Sequence, residues 1–132
     1  MSYAAAAALQ AAIFSALSAA PALVGISIVD AMPPGTVAGT FVLIGPEVAV
    51  DQSDGSGAGA EHRLLISVIS DASGFMTAKT VAAAVSEALL AGGITLAAGH
   101  LVSINFLRAV ARRLDAGTVR RIDLSFRARV EI

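Results

Sequence analysis

The stretch RIDLSFRARVEI, residues 121–132, decides the fold. Its even positions are apolar (Ile122, Leu124, Phe126, Ala128, Val130, Ile132) and its odd positions are polar or charged (Arg121, Asp123, Ser125, Arg127, Arg129, Glu131). A two-residue period sends the two sets to opposite faces of a strand, which predicts a half-buried antiparallel strand with a charged outer face. Just before it, Asp115, Ala116, Gly117 and Thr118 read as a tight turn. Glycine at the third place tolerates positive φ, and Asp can accept a backbone hydrogen bond. Leu101 to Arg112 is then the partner strand of a long C-terminal hairpin. Val102, Ile104, Phe106 and Val110 are expected on one of its faces, Ser103 and Asn105 on the other.

Toward the N-terminus, Ser2 is placed to cap a helix starting near Tyr3. Leu9, Ile13 and Leu17 give that helix an apolar stripe, with Phe14 beside it and Ala6, Ala16 and Ala20 widening the face, and Pro21 closes it. Ile26, Ile28 and Val29 suggest a short strand, Ala31 to Gly35 a loop, and Thr40 to Ile44 a second strand that Gly45 and Pro46 break, with a short extension at Val48 and Val50. Glu61 to Ser70 has two mostly apolar faces, as a central strand does. Asp71, Ser73 and Gly74 turn the chain into a second helix whose buried stripe is Val81, Val85 and Leu89, flanked by Ala78, Ala82 and Ala88; Gly92 and Gly93 supply a left-handed end. The expected architecture is a single α+β domain over residues 1–132, in which an antiparallel or mixed sheet packs against two helices.

The 132 residues are 56% apolar but only 14% charged. About a quarter is usual for a soluble domain, so either the composition is simply alanine-rich or neighbouring subunits cover part of the surface. The N-terminal run of small residues lacks a preceding positive region and is interrupted by Gln10, Ser15 and Ser18, a poor match to a signal peptide or membrane span. With no cysteine there is no disulfide or thiolate chemistry. Charge is unevenly placed. Residues 1–99 set Arg63 and Lys79 against seven acids, a net −5; residues 100–132 set seven arginines against Asp115, Asp123 and Glu131, a net +4. Such asymmetry suits contacts between copies, and the chain shows no nucleic-acid recognition motif.

No catalytic, metal or cofactor set is legible. His62 and His100 have no metal-ligand spacing and no evident acid partner. Asp51, Asp54 and Gly55 lack the rest of a calcium loop, and the G-S-G-A-G run at 55–59 lacks the lysine of a phosphate loop, while Ser56 sits in no nucleophile elbow. Two segments instead suggest protein contacts. Residues 51–60, DQSDGSGAGA, carry no side chain able to anchor a core and read as a flexible loop. Arg112, Arg113, Arg120 and Arg121 crowd the hairpin end with Asp115 as partial relief, and arginine's planar fork suits fixed interfaces. The residues expected to face other proteins are Asp51, Asp54, Gly55, Gly57 and Gly59 in the loop, and Arg112, Arg113, Asp115, Arg120, Arg121, Arg127 and Arg129 in the hairpin.

The N-terminal helix, the segment H-R-L-L-I-S-V-I-S at 62–70 with Gly74 and the second helix, and the ending D-A-G-T-V-R-R-I-D-L-S-F-R-A-R-V at 115–130 occur here in a distinctive order. In this order the chain resembles, over nearly its full length, the small tail-completion or tail-terminator proteins of long-tailed bacteriophages and gene transfer agents. Its alanine-rich, cysteine-free form is most similar to the version in alphaproteobacterial gene transfer agents. Phe126 and Arg127 match the family's ending; Ala31 to Gly39 matches no motif. The resemblance implies a structural protein, made in the bacterial cytoplasm and incorporated at the head–tail junction of a particle. It implies a ring, usually of six copies, that stops tail-tube polymerisation and docks to the head connector. Its partners would be copies of itself, the tail tube protein and a connector or adaptor, with DNA passing through the channel without sequence recognition and no membrane involved. The alternatives are a connector component between portal and tail, or a small α+β adaptor domain unrelated to particles.

Overall fold

A computed structural model of the chain describes residues 3–53 and 59–132. Two helices, α1 (Ala6–Ala19) and α2 (Met76–Leu90), lie on one face of a five-stranded sheet: β1 (Ser27–Val29), β2 (Thr40–Asp51), β3 (Gly59–Ser70), β4 (His100–Leu114) and β5 (Val119–Glu131). The spatial order is β1-β2-β3-β5-β4. Only the β1–β2 pair is parallel, so the sheet is mixed and mainly antiparallel.

The final strand behaves as its alternation demands. Ile122, Leu124, Phe126, Ala128 and Val130 are all buried beneath the helices, and only Ile132, beyond the strand, is exposed. β5 does more than close a hairpin with β4: it lies between β4 and β3, so its backbone is paired on both sides. β3 is central, and its even residues Leu64, Ile66 and Val68 join the same core. Leu9, Ile13 and Leu17 of α1 and Val81, Val85 and Leu89 of α2 complete it. Phe14 stands outside the stripe and is 41% exposed.

Four local expectations are corrected. Helix α1 begins at Ala6 rather than near Tyr3, with Ala5 at its cap and no side-chain cap bond; Ser2 lies outside the described residues. Gly45 and Pro46 do not break β2. Pro46 is the extra residue of a bulge between Gly45 and Glu47, and pairing resumes through Asp51. Proline has no N–H to donate, so leaving it out of the ladder strands no donor. The loop expected at 51–60 is shorter, since Asp51 closes β2 and Gly59 and Ala60 open β3. Finally, β4 does not keep one phase. Val102 and Leu107 are extra residues at two bulges. Ile104 and Phe106 therefore oppose Ala128 and Phe126 on the helix side, whereas Val110 opposes Asp123 on the other face.

The face without helices is charged along β5, where Arg121, Asp123, Arg127 and Arg129 lie, and holds an apolar cluster at one end. There Phe41, Leu43, Ile69 and Val119 form a second, smaller cluster, joined by Val29, Val37 and Leu114. Val37 belongs to the segment between β1 and β2, the stretch that matched no motif, which crosses this end of the sheet. No helix among the described residues is long and apolar enough to cross a membrane.

Candidate functional site

The open face is organised by carboxylates that each gather several donors. Asp123 of β5 accepts hydrogen bonds from Ser67 of β3 (2.6 Å), from Arg121 Nε (2.8 Å) and from Arg112 of β4 (3.2 Å). Burial would raise its pKa, but the bonds from Ser67 and Arg121 and the charges of Arg121 and Arg112 outweigh it and hold the carboxyl below its ordinary 3.8. Further along, buried Glu61 pairs with Arg63 (2.7 Å) and approaches Arg127 (3.7 Å). At the far end Arg129 donates to Gln52 (2.7 Å), lies 3.6 Å from Glu131, and lies against Gly59. A Cβ at Gly59 would stand 2.5 Å from that guanidinium, so a side chain there would displace the Arg129 head group.

The arginines named from the sequence thus separate into groups. Arg112 and Arg121 share Asp123, Arg127 and Arg129 sit farther along β5, and Arg113 and Arg120 turn to the helix side. There Arg113, Arg120 and Lys79 surround the Phe75 ring, at 5.1, 6.0 and 5.8 Å from its centroid. Stacking on an aromatic face offsets crowding among like charges. Asp115 is exposed in the turn, where its carbonyl, not its carboxylate, accepts the bonds from Thr118 N and Oγ1. Asp51 is exposed at the opposite end, and Ser53 folds back on its carboxylate through both its N–H and its hydroxyl, which lowers its pKa. Asp54, Gly55 and Gly57 lie outside the described residues.

One polar group was not visible in the sequence. His62, 1% exposed, donates from Nδ1 to Glu47 Oε2 (3.1 Å), and Tyr3 donates its hydroxyl to Glu47 Oε1 and stacks beside the imidazole. His62 therefore has an acid partner after all. The bulge at Pro46 shifts the β2 register so that Glu47 reaches the helix side diagonally from His62. The bond to Glu47 raises the Tyr3 pKa. The trio fastens the segment before α1 to the sheet and holds no nucleophile. Among the described residues no cluster of three or more His, Cys, Asp or Glu could hold a metal.

With this geometry in place, residues 11–131 match the family described as Tail completion protein gp17. The chain belongs to that family. In the tail completion family the likeness extends to three dimensions. A solved chain from the virion of a native gene transfer agent (GTA) particle is 56% identical, with a TM-score of 0.90, over 99% of this chain and 100% of that one. No curated protein matches. Of the segments that carry the resemblance, residues 62–70 lie within β3 and residues 119–130 within β5, two neighbouring inner strands of the sheet.

Proposed function

We propose that this chain is the tail terminator of a gene-transfer-agent-like particle. It forms a ring, six copies by family resemblance, at the head-proximal end of the tail tube, stops tube growth there and receives the head connector. Its role is structural and it turns over no substrate. The observation that carries this reading is the full-length likeness, at 56% identity, to a chain of a GTA virion.

The architecture suits a part with two different neighbours. The β2–β3 connection and the β4–β5 turn lie at opposite ends of the sheet, because Ala60 pairs with Asp51 and Val130 while Ser70 pairs with Thr40 and Arg120. At about 3.3 Å per residue, β3 separates these ends by roughly 35 Å. The turn end is basic, with Arg113, Arg120 and Lys79 around Phe75. The other end carries Asp51 and Glu131 against Arg129. Unlike ends discriminate between partners and fix orientation.

The test is to add the purified chain to polymerising tail tube protein and image the tubes. The expected result is shorter tubes, each with a ring at one end. Tubes of unchanged length with bare ends would refute the terminator reading.

A further inference from the structure

A ring built from one kind of chain needs two different patches that fit each other. Two such patches lie at opposite edges of this fold. β4 is an edge strand of fifteen residues that among the described residues pairs only with β5, which leaves the other side of its backbone unpaired there. It exposes Val102, Phe106, Leu107 and Val110, each between 36% and 47% accessible. A long edge with exposed apolar side chains is an open template for another chain. Amid these residues Arg108 makes no ion pair or side-chain hydrogen bond among the described residues. The strand contains no acid at all.

The opposite edge is complementary. Helix α1 lies toward β1, while α2 covers β3, β5 and β4. Between α1 and β1 runs an open groove of about 840 Å³, walled by Ala7, Ala11, Phe14, Ile28 and Val29. Asp30 stands in its lining, and it is the only charged side chain in residues 1–46. An otherwise uncharged wall with one carboxylate faces outward at one edge; at the other is a strand with three arginines and no acid, of which Arg112 pairs with Asp123, Arg113 lies over Phe75, and Arg108 has neither kind of partner among the described residues.

We infer that the groove's occupant is a second copy of this chain: the β4 edge of one protomer seats between α1 and β1 of the next, with Leu107 and its neighbours in the groove and Arg108 against Asp30. This rests on the ring reading and assigns the surfaces that close it. The contact is head-to-tail, so both patches of every protomer are used.

The test uses full-length chains, alone and with tail tubes, assayed by native mass and by imaging. Leu107→Glu and Phe14→Glu alter exposed positions, one at each edge, and each alone should abolish the ring. Mixed at high concentration, these two variants should give a 1:1 dimer and nothing larger, because one intact edge meets one intact groove. Arg108→Glu and Asp30→Arg should each weaken assembly, and the double exchange should restore it, a rescue that a folding defect would not produce. If the wild type forms rings but Phe14→Glu does so equally well, the surface assignment is wrong while the ring stands. If the double exchange fails to rescue, Arg108 and Asp30 do not meet. If the wild type forms no ring either alone or on tubes, the ring reading itself fails, and this contact with it.

Discussion

Asp115, Ala116 and Gly117 occupy the left-handed region in succession, at φ 51°, 56° and 92°. Glycine enters this region without steric penalty, whereas Ala's Cβ meets its carbonyl at a cost of about 1 kcal/mol or more. The turn therefore holds strain at Ala116 that it does not hold at Gly117. Ala116→Gly is expected to stabilise the fold by about 0.5 kcal/mol, the relief being partly offset by the freer unfolded chain, and Gly117→Ala to destabilise it by about 1 kcal/mol. Urea unfolding of the two variants checks both signs. Gly117 was legible as a turn residue from the sequence. Ala116 was not, because alanine's own preference is the opposite one, and two long strands in fixed register override it. Gly59 reads as part of the loop because glycine carries no side chain to show a strand's alternation, whereas its pairing with Glu131 of β5 makes it the first residue of β3.

Between elements, Asp123 joins three strands, taking Ser67 from β3, Arg121 from its own strand and Arg112 from β4. Its pKa is lower in the folded chain than the 3.8 of the unfolded one, so folding favours the ionised form. That contribution is fully present above pH 3.8 and is lost as pH falls through the folded value. The expected outcome is that Asp123→Asn is less stable than wild type at pH 7, and that the gap narrows below pH 4. Thermal unfolding across pH 3–7 measures it, and a gap independent of pH would show that the carboxylate's charge is not what matters. The alternation in 121–132 announced which residues of β5 face the helices. It could not announce β4, where bulges at Val102 and Leu107 change the phase of a strand that looked regular. A bulge depends on fit to the neighbouring strand, and sequence periodicity within one strand contains no record of its partner.

At the scale of the whole molecule, Phe126 lies at 0% exposure on the strand between β3 and β4, with Phe106 edge-on to it at 5.8 Å. Both helices belong to the same core cluster. Phe126→Ala is expected to cost about 3–5 kcal/mol, a large share of the roughly 5–15 kcal/mol that holds a domain folded. Because β3, β4, β5 and both helices share this core, the loss should appear as a lower midpoint of a single unfolding transition, not as partial melting of one layer. Fluorescence is unsuited to a chain with no tryptophan and one tyrosine, so circular dichroism is the measurement. What the sequence determined alone was local: the order of the elements, the buried stripe of each helix, the two faces of the last strand and the turns at Gly74 and Gly117. Each follows from the geometry of a single helix or strand acting on its own residues. Only the tertiary structure decided that β5 enters between β3 and β4, that Pro46 brings Glu47 to His62, and that the crowded arginines divide between Asp123 and Phe75. These depend on which distant segments meet, and a pairing made across the sheet leaves no period in either strand.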